Sequence, residues 1–156
     1  MKTTIFLFVA LALGQSQMAT AQVVGYAIAG PAGNSGRFGG VALQAAGGGE
    51  FLKDGTAGVS GEVGILANTS SALSVMSLNG VVHFLTGSGA TSPYLTGGYS
   101  RFSSGEGNSS AWNFGVGADF WRNDHAGARV EFRDHVRSRV GGAIHYFTVR
   151  AGLVLK

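Results

Sequence analysis

The chain has no cysteine among its 156 residues, and only 12% of them are charged. The first absence removes any disulfide or thiolate metal site, and with them a lipid-modified cysteine anchor. The second is low for a small water-soluble domain, where roughly a quarter of residues are charged. Such a chain presents a surface that does not face water. Proline is scarce too, with 2 residues, and no apolar run approaches the roughly 20 residues of a membrane-spanning helix. Glycine, by contrast, occurs 27 times. Inside helices each glycine costs about 1 kcal/mol relative to alanine, whereas in strands it permits the curvature and close packing of a small closed barrel.

The N-terminus reads as a secretory leader. Lys2 supplies the positive start, Ile5 to Leu13 the apolar stretch, and Ala19-Thr20-Ala21 a small-residue cleavage site, so residues 1–21 are expected to be removed after Ala21. Residues 22–156 then form one domain by length. Loss of Lys2 lowers the formal charge from +3 to +2, and an exported domain meets no nucleic acid, so the basic pI of about 9.6 carries no such partner.

Alternation of side-chain character predicts eight strands. The first spans Val23 to Gly30 and ends at Pro31; the second covers about Gly40 to Leu52; a tight turn at Lys53-Asp54-Gly55-Thr56 leads into the third, Gly58 to Leu66. The fourth runs from Ser74 to Leu85, the fifth from Pro93 to Phe102, the sixth from Ala111 to Trp121, the seventh from Ala128 to His135 and the eighth from Ala143 to Leu155. Polar or glycine-rich segments at Asn68 to Ser71, Thr86 to Ser92 and Ser103 to Ser110 read as connections. Because successive side chains point to opposite sides of a strand, the seventh places Arg129, Glu131 and Arg133 on one face and Val130 and Phe132 on the other.

An even number of strands of about ten residues behind a leader predicts an all-β fold, an eight-stranded antiparallel up-and-down transmembrane barrel with its apolar face in lipid. With both ends periplasmic, Phe51, Phe84, Tyr94, Phe120 and Trp121 gather near one rim as an aromatic girdle. The segments around Asn34, Ser70, Ser103 to Ser110 and Arg137 to Gly142 then face outside the cell.

The inward face holds an ionic group: Glu50, Glu62, Asp119, Arg129, Glu131, Arg133 and Arg150. Hairpin register brings Asp119 opposite Arg129 and Glu131 opposite Arg150, with Glu50 and Glu62 close across the second hairpin. Eight strands leave an interior that side chains fill. These charges are therefore expected to pair as a core and not to line a wide pore or a catalytic centre.

The strings Gly97-Gly98-Tyr99-Ser100, Trp112-Asn113-Phe114-Gly115-Val116-Gly117, Trp121 and Gly127-Ala128-Arg129-Val130-Glu131-Phe132-Arg133-Asp134 resemble the small outer-membrane β-barrel proteins of the OmpA-like and OmpX-like transmembrane group. The resemblance covers the chain after the leader. It implies location in the cell outer membrane, contact with outer-membrane lipid and lipopolysaccharide, and delivery by the barrel-assembly machinery. It also implies a non-enzymatic role, without cofactor or metal, in envelope structure or surface interaction, carried out by a monomer. Barrels of this group commonly close on an aromatic residue, whereas here the last four residues are Leu153-Val154-Leu155-Lys156.

Four alternatives are weighed against this reading. A soluble lipocalin-like barrel would invert every face, putting Val130 and Phe132 in a ligand cavity. Lipid A deacylases use serine, histidine and an acid on the wall of such barrels, but here His145 and Thr148 project to opposite faces, and Ser138 falls in a loop beyond His135. The four histidines, His83, His125, His135 and His145, lack close ligand spacing. Finally, Arg37, Arg101, Arg137 and Arg139, near the outer rim, suit bidentate contact with lipopolysaccharide phosphates.

Overall fold

Alternating small or polar and large apolar residues leave each segment with one face to bury, and the chain satisfies all of them at once by closing a sheet. In the computed structural model, which describes residues 21–35, 42–69, 71–84, 90–105, 107–139 and 142–156, the strands are β1 (Ala21–Asn34), β2 (Ala42–Lys53), β3 (Ala57–Ala67), β4 (Ala72–His83), β5 (Thr91–Ser104), β6 (Gly107–Trp121), β7 (Ala126–Arg139) and β8 (Gly142–Leu155). Each pairs antiparallel with its sequence neighbours, and β8 pairs with β1, so the barrel is closed and has no edge strand. Residues 1–20 of the leader lie outside the described residues, as do Arg37 and the connecting residues 85–89, while Ala21, its last residue, begins β1.

The facing follows the alternation. Val59, Val63, Met76, Leu78, Trp112, Phe114, Val116, Val130, Phe132 and Leu153 are exposed on the outer wall, while all seven members of the ionic group are buried. This is the reverse of a soluble barrel, so the inverted assignment, with Val130 and Phe132 in a cavity, does not describe this chain.

Local chemistry sets the turns. Asp54 and Gly55 adopt φ of 52° and 68°, the pair of left-handed residues that a type I′ hairpin requires, and Thr56 N–H closes the turn on Lys53 C=O at 3.0 Å. Between β6 and β7, Asn123 Oδ1 accepts from the N–H groups of His125 and Ala126 at 2.9 and 2.8 Å.

Several elements run beyond their expected bounds. Pro31 does not end β1 but continues it opposite Leu43, because a strand tolerates a residue without an N–H where the ladder makes no demand on it. Ser103 to Ser110 is not a free loop: β5 and β6 stay paired to Ser104↔Gly107. Ser138 sits within β7, opposite Ala143, and not in a loop. Apolar pattern marks only the stretch with large side chains exposed on the outer wall, while backbone pairing continues past it.

Close approach of strands uses glycine at specific points. A Cβ built on Gly98 would collide with the Leu78 carbonyl oxygen and the Asn79 backbone. Gly98→Ala is therefore expected to lose about 1–3 kcal/mol through overpacking, read as a lower urea midpoint of the refolded barrel; an unchanged midpoint would show that β4 and β5 have room to separate.

Candidate functional site

The barrel interior is stratified. At the end holding the termini, Val24, Ile28, Leu52, Val81 and Val154 form an apolar layer with Tyr26 and Tyr94, against which Trp121 packs. At the other end Ala32, Leu66, Val75, Phe102 and Ala111 form a second, with Leu73 and Tyr146 packed on it. The ionic group packs directly on the first of these, where Glu50 is the strand partner of Val24, and Tyr26 and Tyr94 touch the charges, so apolar side chains share the filling of the barrel with the ion pairs.

Register places the charges. Asp119 is the direct partner of Arg129, and Glu131 of Arg150. Arg129 holds two carboxylates in forks: Nε and Nη2 donate to Asp119 at 2.7 and 2.8 Å, and Nη1 and Nη2 to Glu50 at 2.6 and 3.2 Å. Its guanidinium carbon lies 4.4 Å from the Tyr26 ring centroid and 4.6 Å from that of Tyr94, so the cation is clasped between two π faces. Arg150 donates to Glu62 at 2.8 and 3.1 Å and to Glu131. Arg133 donates to Glu131 at 2.9 Å and lies 3.4 Å from Glu62. The seven residues thus form two ion-paired groups, Glu50 and Asp119 on Arg129, and Glu62 and Glu131 on Arg133 and Arg150, which meet through Tyr26 and Tyr94.

Three further members were not assigned to this cluster from sequence. His83 Nε2 lies 3.0 Å from Glu50 Oε2, and Nδ1 lies 3.1 Å from Ser92 Oγ; an ionised carboxylate only accepts, so the histidine Nε2 carries the proton. Tyr94 Oη donates to Glu131 at 2.8 Å and Tyr26 Oη to Glu62 at 3.1 Å. The signal for His83 was present, since it shares the inward parity of Ser77 and Asn79. Tyr94 is a correction: it is 1% exposed and inside the barrel, not in the girdle. Its place in β5 has the parity of the buried Thr96 and Ser100, and that parity outweighs its nearness to a turn. Phe51, Phe84 and Phe120 remain exposed at that rim, while Trp121 is half-buried, with the Lys156 ammonium 3.9 Å over its ring.

Above the charges lies a neutral polar layer. Asn113 Nδ2 donates to Asn79 Oδ1 at 2.8 Å and to Ser100 Oγ at 2.9 Å, and His135 Nδ1 lies 3.1 Å from the same Ser100 Oγ. On the outer wall, His145 Nδ1 pairs with Asp134 Oδ2 at 2.7 Å, a contact between adjacent strands that sequence spacing did not suggest. Thr148 is buried and donates to the Arg133 carbonyl at 3.3 Å, so it is not a partner for the His145 ring. Among the described residues no group of three or more metal-ligating side chains occurs.

Each carboxylate of the group accepts from a guanidinium, and the arginines are nearly solvent-free, so the charges are paired inside the barrel, while the buried Arg150 Nε makes no hydrogen bond. A closed eight-stranded antiparallel barrel with charges inside and large apolar residues outside is the architecture of small outer-membrane barrels. Neisserial surface protein A has this fold with a TM-score of 0.71 at 15% identity, covering 87% of this chain and 98% of that one. The N-terminal β-barrel domain of Pseudomonas aeruginosa OprF is similar with a TM-score of 0.59 at 14% identity, covering 85% and 98%. The attachment invasion locus protein Ail of Yersinia pestis, in complex with the heparin analogue sucrose octasulfate, follows at 0.54 and 13%, covering 86% and 97%. No family model matches the sequence, and no curated protein matches it.

Proposed function

We propose that this chain is an exported, non-enzymatic outer-membrane barrel that acts as a monomer in envelope structure or surface interaction. The observation that carries the reading is the inverted hydrophobicity of the closed barrel: Arg129, Arg133 and Arg150 are at most 1% exposed, whereas Leu78, Trp112 and Leu153 are more than 60% exposed. A wall of that kind favours lipid over water. The ends of β1 and β8 lie at one end of the barrel, which favours periplasmic termini and assembly by the barrel-assembly machinery. Arg101, exposed on β5 near the opposite rim, is positioned for lipopolysaccharide phosphates, and the polyanion bound by Ail in its complex is of comparable chemistry.

Fractionation of cells expressing the whole chain, with electrophoresis before and after boiling, tests this reading. The expected result is an outer-membrane band that shifts on heating, with an N-terminus at Gln22 after leader removal. A soluble periplasmic protein would overturn it.

A further inference from the structure

We infer that the barrel mouth opposite the termini is a binding site for a small single-tailed anionic amphiphile, of which a medium-chain fatty acid is the type. Two cavities, of about 290 and 240 Å³, lie at this end and share Leu73 and Tyr146 in their walls. Together they fall within the range of small-ligand sites, about 300–1,000 Å³. Their chemistry is two-sided. The floor is the upper apolar layer, where Phe102 and Tyr146 face each other with ring centroids 5.5 Å apart, and the rim carries Asn108, Ser109 and Arg137.

Arg137 gives the site its sign. The alternation along β7 aims Arg129, Arg133 and Arg137 inward alike. The two lower arginines, and Arg150 of β8, each hold carboxylates, but half-buried Arg137 meets none among the described residues. A guanidinium drawn partly out of water, beside an apolar floor and without a counter-charge, is a place for an anion whose other end is apolar. The carboxylate would take the Arg137 fork, and the tail would lie between Leu73, Phe102 and Tyr146. The tail stops there, because the next layer down is the polar set around Asn113, His135 and Ser100. The site therefore holds its ligand and does not pass it through the barrel.

The test is a titration of ¹⁵N-labelled protein in phosphocholine nanodiscs with decanoate and, in parallel, with decanol. Saturable amide shifts at Leu73, Phe102, Arg137 and Tyr146 are expected with decanoate, with at least tenfold weaker binding for Arg137→Gln and for decanol. Leu73→Trp, which fills the shared wall, is expected to abolish saturation, and Ser109→Trp does the same from the rim if the first variant fails to give a heat-shifted band. Equal saturation by decanoate and decanol, or an unaffected Arg137→Gln, would overturn the assignment. Shifts confined to the outer wall at Leu78 and Val116 would overturn it as well, since they report only partition into the bilayer. Neither outcome bears on membrane location, which the fractionation reads separately.

Discussion

Arg129→Ala is expected to lower the unfolding free energy of the refolded barrel by about 3–5 kcal/mol, the usual effect of removing one partner from a buried ionic group. The substitution leaves Glu50 and Asp119, 2% and 0% exposed, without the guanidinium that binds both. It also leaves Tyr26 and Tyr94 facing a gap where the cation was clasped. Arg129→Lys is expected to recover little, because a single ammonium cannot fork to two carboxylates or stack flat between two rings. Combining Arg129→Met with Glu50→Gln and Asp119→Asn removes the stranded charges and is expected to return much of the loss. Urea unfolding followed by tryptophan fluorescence measures all four proteins. A loss below about 1 kcal/mol for Arg129→Ala would mean that the carboxylates find other partners and that the network is not a structural core.

How much of this was legible in the sequence depended on parity. In β7 a single decision, that Val130 faces lipid, fixed the side of Arg129, Glu131 and Arg133, and hairpin register then specified Asp119↔Arg129 and Glu131↔Arg150. Contacts between strands distant in sequence were not legible. The clasp of Arg129 by Tyr26 of β1 and Tyr94 of β5 crosses the barrel lumen, and no local pattern encodes a distance across a lumen. Tyr94 was misplaced for a related reason: an aromatic residue near a turn satisfies the girdle pattern equally well from either face, and only its agreement with Thr96 and Ser100 decides. The Asp134 and His145 contact escaped because the two are diagonal, not direct, partners; Asp134 stands opposite Phe147. Strand ends were underestimated wherever polar residues continued the ladder above the apolar belt, as at Ser103 and Ser104.

The outer wall carries the second large effect, and it separates lipid from water more sharply than any interior change. Val130→Arg is expected to lose about 2–4 kcal/mol, the range for a cation at the bilayer midplane on the lipid face of a barrel. Val130 is 44% exposed and flanked on its face by Ala118 and Ala151, so a guanidinium placed there has no acidic neighbour opposite and must reach along the wall toward water. Depth is the discriminating variable. Leu155→Arg, at the end of β8 beside Ala126, introduces the same charge at the rim and is expected to cost about 0–1 kcal/mol. Refolding into phosphocholine vesicles, read by the heat-shifted band and by urea midpoint, compares the two. A deep penalty with a shallow rim effect follows only if a hydrocarbon layer surrounds the barrel at the level of Val130. Equal and small effects at both sites would place this wall in water, and the apolar belt of Leu78, Trp112 and Phe132 would then need a protein cover in place of a membrane.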